Sequence, residues 1–144
     1  MDYRELGFYQ KARQVVKELN TELNTWLKSI QAQTISRQLF RSATSVGANI
    51  AEGHGRHQGK EYIRFLMIAQ GSANEVDHWL NTAIDCSIGD IQSLHGLIDL
   101  NNETRKMLTA TIKSLRAKNQ NKELRESYPP YSPAPYPLIP DDDR

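Results

Sequence analysis

All six prolines of this 144-residue chain lie between Pro129 and Pro140. Nothing in the first 128 residues therefore removes a backbone donor or forces a proline kink, and long unbroken helices are permitted there. Apolar residues in that body recur every three or four positions, with no sustained two-residue alternation, which is the signature of amphipathic helix. Four segments follow. The first runs from about Phe8 to Ser29, with Tyr9, Ala12, Val15, Val16, Leu19, Leu23, Trp26 and Leu27 on its apolar face. The second follows Thr34 as N-cap and aligns Ile35, Leu39, Ala43, Val46 and Ile50. The third starts near Gly59 and ends near Gly89, with Tyr62, Phe65, Leu66, Ala69, Ala73, Val76, Trp79, Leu80 and Ala83 inward. The fourth starts after Asp90 as N-cap and runs to about Ala117 with Ile91, Leu94, Leu97, Ile98, Leu108, Ile112 and Leu115. Short links between helices of this length predict an all-α antiparallel up-down four-helix bundle over residues 1–118.

Residues 119–144 have few core-forming side chains, and their prolines favour extended polyproline II, so the sequence predicts a disordered Pro/Tyr-rich tail there. The charge balance also divides near this point. Residues 1–118 carry 15 Lys and Arg against 12 Asp and Glu, whereas residues 119–144 carry 3 against 5. One cysteine, Cys86, cannot form an internal disulfide, and on a partly apolar helix it reads as a packed core residue. With no apolar run near the roughly 20 residues that span a bilayer and no leader-like N-terminus, the sequence reads as soluble and cytoplasmic.

The stretch Asn49 to Leu66, N-I-A-E-G-H-G-R-H-Q-G-K-E-Y-I-R-F-L, gathers three glycines and two histidines within a few residues. It fits no phosphate loop: Gly59-Lys60 is followed by Glu61 rather than Ser or Thr, no strand precedes it, and Gly53, Gly55 and Gly59 miss the G-x-G-x-x-G spacing. His54 and His57 lack the further ligands a metal needs, and with glycines between them they read as surface residues at a turn. Glu52 and Glu61 read as helix-end and ion-pairing carboxylates rather than an acid-base pair. No catalytic group, metal or cofactor is implied. The stretch is better explained as a corner. Gly53 and Gly55 would end the second helix through positive backbone dihedrals, Arg56 would sit at the negative end of its dipole, and Gly59 would break the chain before the third helix. In the third helix Ala69, Gly71, Ser72 and Ala73 are small enough to let a neighbouring helix approach, and Gly71 in mid-helix asks for a packing reason.

The blocks S-V-G-A-N-I-A-E-G-H-G-R and K-E-Y-I-R-F-L-M-I-A-Q-G-S-A-N-E resemble the signature of the small four helix bundle protein family. That family includes proteins encoded in intervening sequences of large-subunit ribosomal RNA genes and the accessory variability determinant of diversity-generating retroelements. The resemblance spans about residues 5–118. The matching positions are Asn49, Glu52, Gly53, Gly55 and Arg56, then Glu61, Phe65, Gly71, Ser72 and Glu75, and they read mostly as serving fold and assembly. It implies a bundle that assembles into a ring, a homopentamer in relatives, which in retroelements binds nucleic acid and a reverse transcriptase through basic residues. The body here is only slightly basic, a departure from the strongly basic retroelement proteins.

The resulting expectation is a non-enzymatic oligomeric accessory protein that binds RNA or DNA, with a reverse transcriptase as protein partner. Its candidate contacts are Arg37, Arg41, Arg56, Lys60, Arg64, Arg105, Lys106, Lys113 and Arg116, each of which also fits an ordinary solvated helix surface. The alternative is a protein-interaction scaffold without nucleic-acid binding, in which P-P-Y at Pro129 to Tyr131 resembles a short proline-rich ligand.

Overall fold

The computed structural model describes residues 1–56 and 59–127. After a short 3₁₀ turn at Tyr3–Glu5 it forms α1 (Gly7–Leu23), α2 (Ile30–Gly55), α3 (Gly59–Asp85) and α4 (Ile91–Ser127). Each helix packs on its two neighbours around the ring α1–α2–α3–α4, and α1 closes against α4. Four antiparallel helices with no strand among the described residues make an up-down bundle.

The core divides along the bundle axis. The upper cluster joins Val15, Leu19, Leu39, Val76, Leu80, Leu94 and Leu97, with Trp26 and Trp79 packed against it. The lower one joins Phe8, Ala12, Val46, Ile50, Leu66, Ala69, Leu108 and Ile112. The second, third and fourth apolar stripes read from the sequence supply most of these side chains. Two residues assigned to the core are instead outside it: Leu27 is 87% exposed because α1 stops at Leu23, and Ile91 is 51% exposed at the first turn of α4.

The ends of the helices differ most from the sequence reading. Ser29, not Thr34, caps α2, its hydroxyl accepting from the Ala32 amide at 3.0 Å, while Thr34 donates to the Ile30 carbonyl one turn inside the helix. Asp90 caps α4 as predicted, its carboxylate accepting from the Ser93 amide and hydroxyl, each at 2.9 Å. These bonds favour the charged form and hold the Asp90 carboxyl below its ordinary value. At the same end the buried Glu22 accepts at Oε1 from Trp26 Nε1 (3.0 Å) and from the Asp90 amide (2.8 Å), tying α1 to the start of α4. The turn there is set by Gly89, whose φ of +84° suits glycine and whose missing Cβ leaves room for Glu22 and Trp26. Cys86 is exposed in this turn rather than packed in the core, because α3 ends one residue earlier.

Helix α4 runs to Ser127, past the position near Asn119 at which the tail was expected to begin. Residues 119–127 have no proline, and Lys60 of α3 meets Glu123 at 3.0 Å across the extension. The proline-rich remainder lies outside the described residues.

Candidate nucleic-acid interface

The corner between α2 and α3 owes its form to contact rather than to dihedral freedom. Gly53 and Gly55 lie inside α2, and neither has the positive φ expected of a helix stop. At Gly53 a Cβ would come within 2.7 Å of the Phe65 Cβ and 3.2 Å of the Tyr62 ring, so the absent side chain lets α3 approach α2. Gly59 does carry a positive φ, +72°, at the first residue of α3. His54 is half-buried rather than a surface residue: its Nε2 lies 2.9 Å from the Met1 carbonyl, and its ring meets Tyr3 and Tyr62 edge-on. His57 lies outside the described residues. Among the described residues no three His, Cys, Asp or Glu side chains come together in a metal-holding group.

The nine basic candidates separate into two sets. On the α2 side, Arg41 donates to Glu75 at 2.8 Å, Arg56 pairs with Glu52 at 2.9 Å, and Arg37 stands on the exposed face of α2 without an ion pair among the described residues. The other six border the outer seam between α3 and α4. Lys60, Arg64 and Arg116 line one groove with Ile63, Met67 and Ile68, and it encloses about 600 Å³. Arg105, Lys106 and Lys113 line a second, of about 660 Å³, with Gln70, Asn74 and Thr109. A third depression, lined by Gln70, Thr109, Lys113, Arg116 and Gln120, shares residues with both.

Neutralisation along this seam is incomplete. Arg105 donates to Asn74 Oδ1 at 2.8 Å and reaches Asp77 only at 3.8 Å, and Arg64 is 3.9 Å from Glu61. Lys106 and Lys113 have no carboxylate partner among the described residues. The Arg116 guanidinium meets the Met67 sulfur at 3.1 Å and no acid among the described residues. The seam itself is held by Gln70 donating to Thr109 (2.6 Å) and by the buried Asn101 donating to the Ala73 carbonyl (2.8 Å). These contacts give Asn101 and Thr109, two polar residues in the middle of α4, their partners on α3. They were not legible as cross-helix partners, because periodicity says which face a residue is on but not what it meets.

The small-residue run of α3 also resolves by face. Ala69 and Ala73 are fully buried, and Ser72 shares a 2.9 Å hydrogen bond with Ser45 of α2. Gly71 is different: it points outward, with open space where a Cβ would stand, so no contact among the described residues accounts for it.

The arrangement defines a helical-bundle protein with a cationic, part-apolar seam on one face and no assembled catalytic group among the described residues. A family profile described as 23S rRNA-intervening sequence protein matches residues 4–110, and the chain belongs to that family. A solved structure from Bacteroides thetaiotaomicron VPI-5482, described as a protein with unknown function from the S23 ribosomal protein family, is 26% identical. It superimposes with a TM-score of 0.64 over 74% of this chain and 95% of that one. No curated protein matches the chain. Among the described residues no helix is long and apolar enough to cross a membrane.

Proposed function

We propose that this chain is a non-enzymatic accessory protein that binds RNA or DNA through the α3–α4 seam, acting as a homo-oligomer, a pentamer by resemblance, with a reverse transcriptase as its protein partner. The observation that carries the nucleic-acid reading is the cluster of Lys106, Lys113 and Arg116 on one side of α4, none paired with a carboxylate among the described residues. Cations without internal partners are the ones free to neutralise phosphates, and the counterions that this releases from the nucleic acid drive sequence-independent binding. Arg41 and Arg56 already have partners and contribute less.

The test is a salt titration of RNA binding by the full chain and by the triple variant Lys106→Ala, Lys113→Ala, Arg116→Ala. The variant is expected to bind more weakly, with a log–log salt slope shallower by about 2 to 3, since each lost phosphate contact removes about 0.7 to 0.9. Arg41→Ala is expected to change the slope little. An unchanged slope in the triple variant, or no binding at low salt, overturns the reading.

A protein-interaction scaffold without nucleic-acid binding is the second reading. It is favoured by Met67 and Ile68, 45% and 42% exposed on the same seam. A protein partner captured by the full chain and lost with Met67→Asp, alongside no RNA binding, would decide for it.

A further inference from the structure

We infer that the groove lined by Lys60, Ile63, Arg64, Met67 and Arg116 is a docking site for the chain's own last seventeen residues, Tyr128 to Arg144. The groove and this segment match in three respects. The first is chemical order. The segment reads Y-P-P-Y-S-P-A-P-Y-P-L-I-P-D-D-D-R, apolar and aromatic up to Ile139 and then acidic at Asp141 to Asp143. The groove is floored by Ile63, Met67 and Ile68 and edged by Lys60, Arg64 and Arg116, and its neighbour along the seam adds Lys106 and Lys113. Apolar residues laid over the floor bring the aspartates to the unpaired cations of α4.

The second respect is reach. The segment leaves α4 at Ser127, four residues beyond Glu123 at the groove's edge. Returning from Ser127 to the level of Lys113 covers about 21 Å at the 1.5 Å rise of a helix. The fourteen residues from Ser127 to Asp141 span about 43 Å as polyproline II, enough for the reversal and the return. The third is hydrogen bonding. With six prolines among its seventeen residues the segment offers more backbone carbonyls than amide donors, and the groove is lined by Asn119 and Gln120, whose side-chain amides can donate to those carbonyls.

Docking in cis does not depend on nucleic-acid binding. One consequence does rest on that reading: the aspartates would occupy the cations that a phosphate backbone needs, so the segment and RNA exclude each other.

The direct test uses the full chain with Cys86→Ser and Ser132→Cys, carrying a nitroxide at residue 132, with labelled Met and Ile methyl groups. Cys86 is exposed at the opposite end of the bundle, so its replacement leaves the groove alone. Loss of methyl intensity at Met67 and Ile68, with Ile30 and Ile91 unaffected, is the expected result, and so is its reduction by Asp141→Asn, Asp142→Asn and Asp143→Asn together. No loss at Met67 and Ile68 beyond that at Ile30 overturns the inference. Loss that persists when spin-labelled chains without isotope are mixed with isotope-labelled chains that carry no nitroxide assigns the groove to a second copy's segment and overturns docking in cis. RNA binding is read separately, as a tightening with the triple Asn variant. An absence of RNA binding removes the proposed function and leaves the methyl result standing.

Discussion

Helix α3 makes two seams, and they are built on different principles. Toward α2 the approach is close: Gly53 admits Phe65 and Tyr62, Ser45 and Ser72 share a hydrogen bond, and Arg41 is held across the seam by Glu75, while Arg56 pairs with Glu52 within α2. Toward α4 the contact is polar and open, bridged by Gln70–Thr109 and Asn101–Ala73, with grooves outside it and unpaired cations along them. Of the positions that match the family signature, Gly53, Phe65, Ser72 and Glu75 lie at the first seam, while the same block of α3 also supplies Ile63, Met67 and Gln70 to the grooves of the second. One stretch of sequence therefore serves both the contact that shapes the fold and the surface left open beside it.

The largest expected effect on this contrast comes from Gly53→Ala. Its new Cβ would press on the Phe65 Cβ, and overpacking of this kind costs about 1–3 kcal/mol, read as a lower midpoint in thermal or urea unfolding. The same exchange at Gly71 should have the opposite sign. Open space surrounds that position, so Gly71→Ala gains up to about 1 kcal/mol from helix propensity alone, unless Gly71 is covered by another chain, when it would weaken self-association instead. Removing cations from the open seam with Lys106→Ala and Lys113→Ala should leave stability within about 0.5 kcal/mol while weakening RNA binding. A stability loss matching that of Gly53→Ala would erase the distinction between the seams. The smallest effect is acidic. Because its hydrogen bonds lower the Asp90 carboxyl below 3.8, the stability it contributes is present above that value and is lost as pH falls through the folded-state value. Asp90→Asn should flatten that part of the acid limb in a pH series of unfolding midpoints.

Much of the bundle was legible because a 3.6-residue period is written directly in side-chain hydrophobicity. The stripe of α2, from Ile35 to Ile50, is buried throughout, and Asp90 caps α4 as its residue type suggests. Helix ends were harder. Ser29 and Thr34 are both acceptable caps, and the choice went to Ser29, which lets α2 begin five residues earlier. The end of α4 was misplaced because low hydrophobicity after Lys118 was read as tail, although Gln120 and the run Lys122 to Glu126 are good helix formers and no proline interrupts them. The candidate site was legible only as a list of nine cations. Which ones share a groove depends on the facing helix, and which ones lack a partner depends on the placement of Glu52, Glu75 and Asp77. The bond from the Asp90 amide to Glu22 joins residues 68 apart, beyond the reach of any local pattern.

The division of the core into upper and lower clusters also determines what light can report about this molecule. Both tryptophans, Trp26 and Trp79, lie against the upper cluster, and the lower cluster is bordered by tyrosines instead. Indole emission therefore follows the end of the bundle held by Glu22, whereas far-UV circular dichroism averages over every turn of helix. Coincident unfolding curves from the two signals would mean that both halves melt as one cooperative unit. If the emission curve lags the dichroism, the half that carries the Met67 groove opens first.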